Sequence, residues 1–207
     1  MPVSVICISR TTGADGEAVG RAVAEQLGFV YVDEEIIRLA SKKAGVDAAT
    51  VSKVETRAPL IERVLEAMTV EGMVHLVAAR GGDAAAAYGG MPPQEDMRAL
   101  IRHTIEEVAA RGSVVIVAHA ASYALRGRSD TLRILVTASP DVRAQRLTLL
   151  GADDAAKAVR ESDKDREQYL RRFYDVRSEE PLHYDLVINT DALAVAPVAA
   201  AIAAAAR

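Results

Sequence analysis

The first 27 residues constrain the fold most. An apolar run, Val3–Ile8, passes through a glycine-containing turn, Ser9–Gly16, into an alanine-rich stretch, Glu17–Leu27, that Gly28 stops. The run has the length and composition of a strand covered on both faces, and the stretch after it has helical spacing. A turn joining such a strand to such a helix gathers backbone N–H groups and the positive end of the helix dipole above the sheet, where a phosphate is favoured. The residues of the turn itself pull the other way. Arg10 stands where the first glycine of G-x-x-x-x-G-K-[ST] would be, and Gly16-Glu17 stand where Lys and Ser/Thr would be. Asp15 and Glu17 add two negative charges, and Asp15 is of a type that caps a helix with its own carboxylate. Arg10 and Arg21 are the cations at hand to replace the lysine. The turn suits phosphate binding and self-capping equally.

The rest of the chain repeats the strand-then-helix rhythm. Phe29–Val32, Ser113–Ala118, Thr131–Thr137 and Tyr184–Thr190 are apolar runs of strand length. The spacing predicts helices over Glu34–Ala44, Pro59–Arg80, Gln94–Arg111, Ser139–Leu150 and the alanine-rich Ala192–Ala206, with further helix-favouring residues over Ala152–Asp175. Gly81–Pro93, with four glycines and two prolines, reads as a loop or hinge. Five strands alternating with helices predict a three-layer α/β domain around a mostly parallel sheet. The helical block between the second and third strands exceeds what a crossover needs and suggests a cap over a site. Ligands in such sheets bind beyond the carboxyl ends of the strands. That directs attention to Ser9–Gly16, Asp33, His119–Tyr123, Ser139–Asp141 and Asn189–Asp191.

Charge and residue usage exclude several functions. A net charge of −4 with a pI near 5.6 gives no global basic field for DNA or RNA. A single cysteine, Cys7, allows no intrachain disulfide, which fits a reducing cytoplasm. No apolar stretch reaches the ~18 residues of a membrane span, and neither a metal-ligand cluster nor a Ser-His-Asp signature is present. The mixed-charge run Arg160–Arg172 would ordinarily be a solvated helix. Lying after the fourth strand and its helix, it is also placed to bring arginine forks over a phosphate.

Taken together, ICISRTTGADGEAVGRAVAEQLG, FVYVDEEII, YGGMPPQED, SVVIVAHAASYALRGR, SDKDREQYLRRFYD and YDLVINTDAL resemble the cytidylate kinase-like family of P-loop proteins, in order and over nearly the whole chain. The resemblance implies one nucleoside-monophosphate-kinase-like domain over residues 1–207. It would comprise a five-stranded core, a helical acceptor-binding region at 33–95 and a lid arm at 151–178. It makes Arg10–Glu17 the phosphate loop, with Gly13, Ala14, Asp15 and Gly16 around the donor, and puts Asp33 in the acceptor site. It also makes Asp163-Lys164-Asp165-Arg166 the lid motif, with a phosphate-contacting arginine, followed by Arg171 and Arg172. ATP and Mg²⁺ are the implied cofactors and a nucleoside monophosphate the implied partner. True cytidylate kinases have Gly-Lys where this chain has Asp15-Gly16, and members of the like-family already lack that lysine. The chain departs from the like-family pattern by carrying Glu17 where a basic residue is common and Ala118-His119-Ala120-Ala121 for Gly-Arg-Gly-Ala.

Two readings follow. In one, the chain binds a nucleotide and transfers the γ-phosphoryl of ATP to an acceptor such as CMP. In the other, it is a catalytically silent binding or regulatory module on the same scaffold. Asp15, Glu17 and the sequence around His119 favour the second.

Overall fold

The computed structural model describes residues 2–33, 36, 38–39, 93–117 and 120–207, with side chains of the helix that begins at Pro93 described from residue 99 onward. The expected helix Pro59–Arg80, most of the expected helix Glu34–Ala44 and of the 33–95 region, the hinge up to residue 92 and His119 lie outside the described residues. Strand β1 (Val5–Arg10) leads through Thr11–Asp15 into helix α1 (Gly16–Leu27), which Gly28 closes in the left-handed region at φ 67°. Strand β2 (Val30–Val32) follows, and after the undescribed stretch come α2 (Pro93–Ala110) and β3 (Val114–Val117). A short helix α3 (Ala121–Ala124) leads to β4 (Thr131–Thr137), α4 (Pro140–Leu149) and α5 (Ala155–Tyr174). A 3₁₀ turn, Pro181–His183, precedes β5 (Leu186–Asn189) and α6 (Val195–Ala205).

The five strands form one sheet in the order β2-β3-β1-β4-β5, and every pairing is parallel. This is the α/β architecture that the alternating pattern predicts. Strand β1 runs two residues further than the apolar run suggests, because Ser9 and Arg10 keep pairing with Leu135 and Val136 of β4. Arg10 is therefore the last residue of the strand and not part of the loop.

Alternation along β1 divides the core in two. Val5 and Cys7 point to one face, with Val114 and Ile116 of β3, Ile36, and Ile101 and Ile105 of α2. Ile6 and Ile8 point to the other, with Ile134 and Val136, and there meet Val19 and Val23 of α1 and Val198 and Ile202 of α6. Burial on both sides explains why β1 reads as an unbroken apolar run. It also pushes the Cys7 thiol up to about 12, so the group behaves as a small apolar side chain. Among the described residues no helix is long and apolar enough to cross a membrane.

The strand order fixes where a ligand can go. From β1 the chain fills one side of the sheet with β2 and β3 and then crosses to β4 on the other, so the end of β1 lies at the point where the winding reverses. In sheets of this type the crevice at that point is the binding site.

Candidate functional site

The loop after β1 is built for close backbone approach. Gly13 has φ +82°, and a Cβ there would lie 2.9 Å from the Arg143 carbonyl oxygen of α4. Gly16 opens α1, and a Cβ on it would lie 2.5 Å from Cβ of Arg10. The stem of Arg10 thus fills the space that a side chain at position 16, the lysine position of a standard phosphate loop, would need. Arg10 and glycine at 16 are two halves of one arrangement.

The acids are not in the cradle. Asp15 is the N-cap of α1, yet it sits in the left-handed region at φ 61° and ψ 22° and makes no side-chain cap hydrogen bond. Side-chain capping normally needs an extended N-cap and is worth about 1 kcal/mol, and a left-handed aspartate costs a similar amount. The observed geometry forgoes the first and incurs the second, so other contacts must hold it. Arg146 of α4 supplies them: its Nε lies 3.2 Å from Asp15 Oδ2, and its Nη1 donates to the Gly13 carbonyl at 3.3 Å and to Thr190 Oγ1 at 3.0 Å. Its Nη2 donates to the Thr190 carbonyl at 2.6 Å. Glu17, the second acid, is drawn to Arg10 at 2.6 Å. The first-turn N–H groups of α1 are left without a carboxylate cap, which is the condition for an anion to bind there.

Two buried donors flank the same loop. Nε of Arg10 and Nε of Arg143 have no hydrogen-bond partner among the described residues, and Arg143 is only 4% exposed. These orphaned N–H groups, together with the uncapped helix terminus, fit a phosphate. Among the described residues no cluster of three or more His, Cys, Asp or Glu side chains could cage a metal ion. Magnesium bound to nucleotide phosphates keeps several waters and takes only one or two carboxylates. Glu17, beside the cradle, is a carboxylate of the right kind.

Helix α5 lies across the loop. Arg143 reaches Asp163 with both nitrogens, at 2.8 and 2.7 Å, and Thr12 Oγ1 meets Ser162 Oγ at 2.5 Å. One turn on, Arg166 is paired through Nε and Nη2 with Glu179, at 2.7 and 2.6 Å. Burial disfavours the Arg166 charge, but the Glu179 carboxylate outweighs it and the guanidinium stays protonated. Burial likewise favours neutral Glu179, and the arginine reverses that, holding the carboxyl below its ordinary range. Tyr184 also donates its hydroxyl to Glu179 and approaches the Tyr123 hydroxyl at 3.2 Å. A cleft of about 180 Å³ between loop and arm is lined by Thr11, Asp163, Arg166, Leu170, Arg177 and Glu179.

The structure brings Arg10, Gly13, Ala14, Asp15, Gly16 and Arg166 to this cleft or the loop beside it, and leaves the four other expected residues, Arg171, Arg172, Arg21 and Asp33, elsewhere. Arg171 and Arg172 line an adjoining shallow hollow with Gln168, Asp175 and Arg177; at 3.6 residues per turn they stand roughly 140° and 240° around α5 from Arg166. Arg21 lies over the Tyr31 ring, 4.3 Å from its centroid, and the Tyr31 hydroxyl donates to Asp33 Oδ2 at 3.1 Å. Arg21 is therefore tied to the end of β2, on the Asp33 side of the sheet. Close approach permits this: a Cβ on Gly20 would lie 2.6 Å from Val117 Cγ2.

Thr190 falls within the Asn189–Asp191 stretch that the strand ends point to, whereas Arg143 and Arg146 lie outside every stretch the sequence points to. The signal available was Arg143-x-x-Arg146 on the helix after β4, because residues three apart share a helix face and β4 is the neighbour of β1. Thr190 is the residue directly after β5, and its buried hydroxyl also donates to the Ala14 carbonyl at 3.1 Å.

This fold and loop have relatives. A family model described as the cytidylate kinase-like family matches residues 5–192. The chain belongs to that family. Among solved structures it is similar to an uncharacterized protein from Eubacterium ventriosum, at 15% identity and TM-score 0.64, with 98% of each chain covered. It is also similar to shikimate kinase from Bacteroides thetaiotaomicron, at 14% identity and TM-score 0.54, with 96% of each chain covered. A sugar kinase from a Janibacter species matches at 11% identity and TM-score 0.52, over 97% of this chain and 92% of the other. At such identities the likeness is one of fold, and it establishes a P-loop kinase-like architecture. No curated protein matches the sequence. In this chain the β1–α1 junction carries no lysine, and its two acids, Asp15 and Glu17, are each held by an arginine.

Proposed function

We propose that the chain binds ATP through its phosphates at the β1–α1 loop and transfers the γ-phosphoryl to a nucleoside monophosphate such as CMP. The uncapped N-terminus of α1, with Asp15 and Glu17 both drawn away from it, carries the reading. Membership of the cytidylate kinase-like family supports it. Backbone N–H groups of Gly13, Ala14, Asp15 and Gly16 would surround the donor phosphates, and Arg10 would bring the charge that lysine supplies elsewhere. Arg166, with Arg171 or Arg172 if the arm rotates, would screen the migrating group, and Asp33 would orient the acceptor. An oxygen of the acceptor phosphate bonds to the γ-phosphorus as the bond to the bridging oxygen breaks, and ADP leaves. Magnesium carried by the triphosphate would offset phosphate charge, with Glu17 as its protein ligand once released from Arg10.

A second reading has its own observation. Four arginines around the loop are engaged by carboxylates: Arg10 by Glu17, Arg146 by Asp15, Arg143 by Asp163 and Arg166 by Glu179. Such self-neutralisation suits a silent binding or regulatory module. Calorimetric titration with ATP and with CMP, with and without Mg²⁺, followed by an assay of ADP formation, separates the two. Binding with ADP formation dependent on CMP supports transfer. Binding without ADP leaves the module, and no binding of either nucleotide leaves only an interaction role.

A further inference from the structure

The geometry points to Arg146 as a positioning residue that keeps the anion cradle clear of the chain's own carboxylate, Asp15. The inference rests on the reading that phosphate binds at the β1–α1 loop. It concerns what stops that loop from closing on itself.

Aspartate is among the best N-cap residues, and the cap bond runs from its carboxylate to the N–H of the second or third helical residue, here Glu17 or Ala18. To make that bond Asp15 must leave φ 61° for the extended region. The motion turns the peptide between Ala14 and Asp15, and so carries the Ala14 carbonyl with it. That carbonyl is held by the Thr190 hydroxyl at 3.1 Å. Arg146 in turn holds Thr190 by its hydroxyl and its carbonyl, at 3.0 and 2.6 Å, the Gly13 carbonyl at 3.3 Å and the Asp15 carboxylate at 3.2 Å. One guanidinium therefore restrains both the backbone that would have to turn and the carboxylate that would fill the site. Without it, Asp15 swings in, caps α1 and occupies the position a phosphate would take. An acid at this position of a phosphate loop is tolerable because an arginine from the neighbouring helix disposes of it.

The test uses the full chain with Arg146→Ala, Asp15→Gly and the double variant. Glycine accepts the left-handed backbone at 15 and cannot cap. Two quantities are read: the ATP dissociation constant by calorimetry, and ligand-free amide hydrogen exchange at Glu17 and Ala18. Arg146→Ala is expected to weaken ATP about tenfold and to slow exchange at those amides severalfold, as the new cap forms. Adding Asp15→Gly restores the affinity to within about threefold of wild type and returns the exchange to its original rate. A double variant that binds no better than Arg146→Ala overturns the inference, because a merely structural arginine would be missed whatever stood at 15. Unslowed exchange at Glu17 and Ala18 in Arg146→Ala overturns it as well. Should wild type bind no ATP, the phosphate-binding reading falls, while the exchange measurements still decide the role of Arg146. Arg146→Gln replaces the alanine variant if that one does not fold.

Discussion

Arg166 and Glu179 meet fork to fork, with both nitrogen–oxygen distances below 3 Å, and neither side chain is more than 21% exposed. The arginine expected to face a phosphate is, in this state, facing a carboxylate of its own chain.

Removing the arginine alone therefore does more than remove a phosphate contact. Arg166→Ala leaves Glu179 buried without its counter-ion, at a cost of about 3 kcal/mol. For a chain of this size that corresponds to a fall in Tm of roughly 6–12 °C. Arg166→Ala with Glu179→Gln should recover at least half of that loss. If the arm serves transfer, ADP formation stays at background in both variants. Thermal melts beside a turnover assay check the pair, and full activity in the stabilised double variant rules Arg166 out of the reaction.

Acid should loosen the start of the sheet. Asp130 accepts from Ser4 Oγ at 2.6 Å and from Arg128 at 3.0 and 2.8 Å, and these bonds hold its carboxyl at about 2, against 3.8 when free. A carboxyl depressed on folding stabilises above its unfolded value and loses that contribution as pH falls through the folded one. Stability should thus decline between about pH 4 and pH 2. Asp130→Asn should be less stable at pH 7 and show a shallower decline across that window, as measured by urea melts at a series of pH values.

Restoring the missing lysine should not restore a standard phosphate loop. In Gly16→Lys the new Cβ would lie 2.5 Å from Cβ of Arg10, so the strand end or the helix start must shift, at about 1–3 kcal/mol. ATP affinity should not improve. Arg10→Gly with Gly16→Lys removes the clash and should bind ATP more tightly than Gly16→Lys alone, which calorimetry reads directly.

Cys7 should report global unfolding. It is fully buried in the central strand and its thiol is pushed up to about 12. Alkylation at pH 8 should be undetectable in the native state and follow the opening rate in urea, as measured by mass spectrometry.

Most of the architecture was legible in the sequence because backbone demands leave visible marks. Strands buried on both faces must be apolar without alternation, as in Val114–Val117, and left-handed helix ends want glycine, as at Gly28. The position of the candidate site followed from the same rhythm. What the sequence did not disclose was the pairing of charges. Asp15 and Glu17 look like obstacles in one dimension, and only the packing of α4 and β1 beside the loop supplies Arg146 and Arg10 to hold them. Arg166, Arg171 and Arg172 look equivalent within one charged run, and helical rotation separates the first from the others. Arg21 seemed free to serve the loop until Tyr31, ten residues on and in the next strand, drew it to the other side.

Helix α1, whose first turn forms the candidate cradle, rests its Val19 and Val23 face against Val198, Ala199 and Ile202 of α6. The two helices stand at opposite ends of the described chain. During synthesis the loop and α1 leave the ribosome early, while the surface on which α1 settles emerges after every other described element. A nascent chain arrested before residue 195 would carry the whole β1–α1 loop with α1 resting on the sheet alone, through Ile6, Ile8, Val115 and Val117, and without the cover that α6 supplies. The site is thus a late product of translation even though its residues are among the first made.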